Sequence, residues 1–84
     1  MQGERCCLIC GTTRNLHKHH CLHGTSNRKN AEKYGLWVYL CAGHHAEVHA
    51  NHSIDLQFKQ RAQREFEKTH TREEFRRVFG KSWL

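Results

Sequence analysis

The chain has 84 residues and a net charge of +6, with 37% hydrophobic and 26% charged residues. A chain of this length forms a single domain, near the lower size limit at which an apolar core alone stabilises a fold. Since such small domains need a disulfide, a metal site or a partner chain, the 5 cysteines and 9 histidines point first to metal.

The N-terminal segment MQGERCCLIC lacks the apolar run of a signal peptide, and no stretch approaches the roughly 20 apolar residues of a membrane span. We therefore expect a cytoplasmic protein with no membrane partner, in which thiols stay reduced and bind metal more often than they form disulfides. The excess of Lys and Arg favours a polyanion as partner, most simply nucleic acid.

Strands and short helices are predicted in the first part of the chain. We expect a turn and a β-hairpin over residues 5–22, with a short strand at residues 16–22, and then a short helix capped by Ser26 or Asn27. The segment LWVYL at residues 36–40 is apolar and rich in β-branched or aromatic residues, which predicts a second strand. The spacing from Ala42 to about Asn51 then predicts a helix.

The C-terminal part of the chain is predicted to form two further helices. Ser53 is expected to cap a helix that extends to about Lys68, with an apolar residue at every fourth position. Thr71 and Glu74 have the spacing of a capping box at the start of the last helix, which ends at Gly80. The expected inward-facing residues are Ile54, Phe58, Ala62, Phe66, Phe75, Val78 and Phe79.

Two pairs of residues have the spacing of zinc knuckles. Cys7-x-x-Cys10 and Cys41-x-x-His44 are separated by 30 residues, and each pair lies beside a predicted strand. Two-residue spacing lets both side chains of a tight turn reach one ion, and four such ligands complete a closed tetrahedral site. We therefore predict a structural Zn²⁺ held by these four residues, with Cys6 as a less well-spaced alternative to Cys7.

A second set of histidines lies on the first strand and on the helix after the second strand. Residues four apart share one helix face, so His45 and His49 can hold one ion together. Neighbours on a strand point to opposite sides, so if His19 is a third ligand, His20 points elsewhere unless the strand end bends. A ligand beside a base suits a metal-assisted hydrolase, and the alternative is a group of solvated histidines on a basic surface.

At these residues the sequence resembles the zinc-stapled branch of the HNH (His-Me finger, ββα-metal) endonucleases, over about residues 6–51. The resemblance rests on three motifs in order, CLIC (residues 7–10), HKHH (17–20) and LWVYLCAGHHAEVH (36–49). The whole chain also resembles short HNH-like proteins of phages and prophages. The implied fold is an α+β, zinc-stapled ββα-metal domain that occupies residues 1–84, with a helical extension at about residues 53–84.

The resemblance also implies a metal-dependent endonuclease that hydrolyses DNA phosphodiester bonds with His20 as the general base. The catalytic divalent ion would be held by His19, His45 and His49. Three imidazoles suit Zn²⁺, Ni²⁺, Mn²⁺ or Co²⁺ better than Mg²⁺. The implied partner is double-stranded DNA, whose backbone would be held near the cut by Arg28, Lys29 and Lys33.

One position departs from the family. The central Asn of the HNH pattern braces the loop that carries the base, and it aligns with Leu36. Either Asn27, Asn30 or Asn51 braces the loop from elsewhere, or the site is weakened. The alternative function is a non-catalytic zinc module that binds DNA or a protein. A third possibility, intermediate between nuclease and binding module, is a subunit whose nuclease activity needs a recruiting protein.

Overall fold

A computed structural model describes the backbone of residues 1–84 and every side chain except that of Thr25. The elements follow in the order β1 (Leu16–His20), α1 (Thr25–Lys33), β2 (Trp37–Cys41), α2 (Ala42–Ala50), α3 (His52–Phe66) and α4 (Arg72–Phe79). The predicted α+β class and the two C-terminal helices are confirmed. Among these elements, no helix is both long and apolar enough to cross a membrane.

The two strands form an antiparallel pair in which His19 lies opposite Val38 and His20 lies opposite Trp37. Residues directly opposite each other share one face of the sheet. The face with His19 and Val38 is buried against the helices, and both residues are 1% exposed or less. The other face, with His20 and Trp37, is turned outward. The alternation of side chains along β1 therefore places His19 and His20 on opposite faces of the sheet.

The predicted β-hairpin within residues 5–22 is wrong, because the partner of β1 is β2. The Cys7 segment forms a turn instead, in which the Gly11 N–H donates to the Cys7 carbonyl at 2.8 Å. Gly11 has a φ of 78°, a conformation that glycine adopts without steric cost. The strand also ends at His20 rather than at residue 22, and the next residue, Cys21, is fully buried.

Two predicted helix caps are also wrong. Neither Ser26 nor Asn27 caps α1, which begins at Thr25 without a side-chain cap. The cap of α3 is Asn51 instead of Ser53, because the Asn51 side-chain oxygen accepts from the Ser53 and Ile54 N–H groups at 3.0 and 3.2 Å. Asn51 occupies a β-region backbone conformation, as N-cap residues do.

The core lies between the inner face of the sheet and the helices. The predicted apolar stripe of α3 is confirmed at Phe58, Ala62 and Phe66, whereas Ile54 is only partly buried. The capping box of Thr71 and Glu74 is present at the start of α4, and Gly80 ends the helix in the left-handed conformation. The remaining core residues are Cys7, Cys21, Leu22, Ala31, Leu36, Val38, Leu40, Val48, Phe75 and Phe79.

Candidate metal centres

A cluster of three cysteines and one histidine joins the N-terminal turn to the end of β2 and the first turn of α2. His44 Nδ1 lies 3.5 Å from Cys7 Sγ and 3.2 Å from Cys41 Sγ, and the sulfurs of Cys41 and Cys10 are 4.0 Å apart. Four ligand atoms within 4.8 Å of one another fit a single tetrahedral ion. All four predicted residues therefore meet at a site that can hold a metal ion such as Zn²⁺.

The surroundings of Cys7 favour the thiolate form of its side chain. Burial raises the pKa of the Cys7 thiol, but hydrogen bonds from the Cys41 and Cys10 backbone and from His44 outweigh it and hold that pKa at about 6. Cys7 is therefore a thiolate at neutral pH, which is the form that binds metal. Cys6 lies outside the cluster and contacts the side chain of Gln2, so the knuckle uses the cysteine with two-residue spacing.

A second cluster brings together His19, His45 and His49, with one ligand atom of each within 4.8 Å of the others. The His19 ring lies 5.4 Å from each of the other two ring centroids, and the Nε2 atoms of His45 and His49 are 3.1 Å apart. Helical spacing places His45 and His49 on one face of α2, and the inner face of β1 presents His19 to them.

His19 carries the main sign that this cluster binds a ligand. Its side chain is 1% exposed, and its Nε2 has no hydrogen-bond partner among the described residues. A buried polar atom without a partner costs free energy that a bound ion would offset. Burial also lowers the pKa of His19 to about 4, with the nearby His45 and His49 adding to the shift, so the ring stays neutral and able to bind metal.

His20 reaches the same pocket although it lies on the outer face of the sheet, because β1 ends there and the pocket opens at the strand end. Its Nε2 lies 2.7 Å from a carboxylate oxygen of Glu32 on α1. The other oxygen of Glu32 lies 2.7 Å from Lys18 Nζ. His20 is thus next to the three-histidine cluster but is not a member of it.

The three predicted DNA-binding residues separate into two groups. Arg28 lines the pocket that holds the histidine cluster, and Lys29 lines an adjoining pocket together with His20 and Glu32. Lys33 is absent from the lining of both pockets, and its ammonium lies 5.4 Å from the centre of the Tyr34 ring. The structure therefore brings two of the three cations to the site.

A further imidazole at the pocket was missed by the sequence analysis. His23 lines the pocket, and its Nε2 lies 3.0 Å from Asp55 Oδ1 on α3. Burial raises the pKa of Asp55, but hydrogen bonds from His23 and Lys59 outweigh it and hold that pKa below its usual value. No spacing in the sequence points to this contact, since His23 lies in the loop after β1 and Asp55 is 32 residues away.

None of the three candidate asparagines braces the loop that follows His20. The side-chain amides of Asn27 and Asn30 donate to the carbonyls of Phe79 and Val78 on α4, at 3.4 and 3.2 Å. Asn51 caps α3, as described above. The contact that orients His20 comes instead from Glu32, which the sequence analysis did not single out.

No protein-family model, curated protein or solved structure matches the chain. The chemistry of the second cluster is nevertheless defined by its own atoms. Three imidazoles can hold a divalent ion, a fourth imidazole outside the ligand set can accept a proton, and Arg28 and Lys29 can attract an anion.

Proposed function

We propose that the chain is a metal-dependent endonuclease of the HNH kind, which hydrolyses phosphodiester bonds of double-stranded DNA. The observation that carries the proposal is the partnerless buried Nε2 of His19 beside His45 and His49, with His20 next to them. Three histidine ligands, an open pocket and a separate imidazole base are the parts that metal-assisted hydrolysis requires. Four histidines also exceed what a structural zinc site needs.

The order of the elements supports the ββα-metal fold. β1 carries the first ligand and the base, β2 pairs with it in antiparallel orientation, and α2 carries the other two ligands. The Cys₃His cluster ties the N-terminal turn to the junction of β2 and α2, where a Zn²⁺ would stabilise a core too small to stand alone. This cluster would therefore hold the helix ligands in register with β1.

The reaction follows from the positions of the side chains. The ion held by the three imidazoles would stabilise negative charge on the phosphate and on the departing oxygen. Because a carboxylate can only accept, His20 donates its Nε2–H to Glu32 and keeps a lone pair on Nδ1. His20 takes one proton of the attacking water through Nδ1 and the new P–O bond forms. The bond to the 3′ oxygen breaks, and this oxygen takes a proton from solvent water to leave as a 3′-hydroxyl. Arg28 and Lys29 contact the flanking phosphates.

The test is a plasmid-nicking assay with Mn²⁺, Ni²⁺, Co²⁺, Zn²⁺ and Mg²⁺, run on the wild-type chain beside His20→Ala. We expect cleavage by the wild type with at least one transition ion and products with 5′-phosphate and 3′-hydroxyl ends. If the wild type cuts DNA with none of these metals, the proposed nuclease function is rejected.

The alternative is a non-catalytic zinc module that binds DNA or a protein. One observation favours it, because Leu36, at the position of the family's central Asn, is a core residue with 1% exposure. A metal count distinguishes the two functions. The nuclease binds two ions per chain, at the Cys₃His cluster and at the histidine cluster, whereas the module binds one.

A further inference from the structure

His45 has a close neighbour at each of its two ring nitrogens. Its Nε2 lies 3.1 Å from His49 Nε2, within the histidine cluster. Its Nδ1 lies 3.1 Å from Nδ1 of His17, and the two rings meet edge to face at 5.2 Å and 88°. His17 lies two residues before His19 on β1 and therefore on the same face of the strand.

The two ring nitrogens of His45 have different roles if this residue binds a metal ion. A neutral imidazole that binds metal through one nitrogen carries its hydrogen on the other. Since Nε2 of His45 meets its fellow ligand His49, the hydrogen belongs on Nδ1, where His17 lies at hydrogen-bond distance. The Nδ1 lone pair of His17 accepts this hydrogen. His17 meets the side of the His45 ring that faces away from the cluster, so both cannot bind the same ion through these atoms.

We propose that His17 is a positioning residue that fixes the tautomer and the ring orientation of the metal ligand His45. The proposal rests on the histidine metal site of the proposed nuclease, and it does not require that the chain cuts DNA. His17 is exposed and outside the core, so its contribution is expected in metal affinity rather than in stability. Hydrogen-bond partners of ligating histidines typically change metal affinity by about 10- to 100-fold.

The experiment titrates Co²⁺ into the full chain after Zn²⁺ has been supplied to the Cys₃His cluster. Calorimetry and the visible absorption of bound Co²⁺ report affinity and geometry at the histidine cluster. We expect His17→Phe, which keeps a ring but has no acceptor, to weaken Co²⁺ binding by about 10- to 100-fold. His17→Asn places an oxygen near the position of Nδ1, so we expect it to restore most of the affinity and the spectrum.

A matched control is His52→Phe, which replaces another exposed histidine that begins α3 and belongs to neither cluster. It should bind Co²⁺ as the wild type does. The proposal is overturned if His17→Phe keeps wild-type affinity, or if it lowers the thermal midpoint of the chain that carries only the cluster Zn²⁺. It is also overturned if the wild type binds a third ion that His17→Phe loses, because His17 would then be a ligand itself. A wild type that binds Co²⁺ as expected but does not cut DNA would reject the nuclease alone.

Discussion

A carboxylate oxygen of Glu32 on α1 lies 2.7 Å from Nε2 of His20 at the end of β1. This contact joins the two elements that flank the loop after β1, and Lys18 holds the second oxygen of Glu32. If the chain is an HNH nuclease as proposed, the Asn that would brace this loop is replaced by the buried Leu36. Glu32 therefore supplies an orienting contact to the proposed base by a different route.

Replacing Glu32 should slow cleavage without unfolding the chain. Glu32→Ala removes the acceptor of the His20 N–H, so the ring can rotate or change tautomer, and we expect a rate loss smaller than the roughly 100-fold minimum for deleting a base. Glu32→Gln keeps an acceptor oxygen and should lose less. Because the Glu32 side chain is 48% exposed, thermal melts of both variants should match the wild type. Equal cleavage rates for Glu32→Ala and wild type would contradict the orienting role.

Alanine substitutions of His20 and His23 should have different effects on the cleavage rate. Both histidines line the pocket and each contacts a carboxylate, but only His20 is the base in the proposed HNH mechanism. His20→Ala should reduce the cleavage rate by about 10²- to 10⁴-fold, while Co²⁺ affinity and DNA binding persist. His23→Ala serves as the matched variant and should retain more activity. If His23→Ala is inactive and His20→Ala is not, the base is His23.

Removal of the metal from the Cys₃His cluster should unfold the domain. Cys10→Ser or Cys41→Ser, or a strong chelator, removes the link between the N-terminal turn and α2, and the small core cannot compensate. Far-ultraviolet circular dichroism and thermal melts measure the loss. Cys6→Ser is the control, since Cys6 lies outside the cluster and the variant should melt as the wild type does. A folded Cys41→Ser chain would show that the cluster is not structural.

The buried His19 should make stability depend on pH when the histidine cluster carries no metal. Burial lowers the pKa of His19 from 6.5 to about 4. Below pH 6.5 the unfolded chain binds a proton that folded His19 does not, so the free energy of unfolding should fall between about pH 6.5 and pH 4. His19 contributes at most about 3 kcal/mol to this decrease.

His19→Asn lacks this proton linkage and serves as the comparison. Urea unfolding of both chains, loaded with Zn²⁺ at the Cys₃His cluster alone, should give a stability difference that shifts in favour of the variant as pH falls. Any loss of Zn²⁺ at low pH affects both chains and cancels in the difference. A difference that stays constant from pH 7 to pH 4 would mean that folding does not lower the pKa of His19.

Spacing within one element predicted much of the site, since local geometry determines it. The two knuckles, the i, i+4 pair His45 and His49, and the capping box of Thr71 and Glu74 are each governed by a few neighbouring backbone angles. Local signals failed where two residues of similar propensity competed. Asn51 and Ser53 are both good caps, and the choice depends on where the chain leaves α2, which no local pattern records.

The sequence by itself predicted the α+β class and the helices that follow β2, although its β-hairpin within residues 5–22 was wrong. Together with the family resemblance, it also predicted the seven residues that form the two clusters. Only the tertiary structure decided which side chains surround those clusters. Glu32 reaches His20 from 12 residues away, and Asp55 reaches His23 from 32 residues away. Such contacts depend on how α1 and α3 pack against the sheet, and that packing is set by the summed burial of many apolar side chains rather than by the spacing of polar ones.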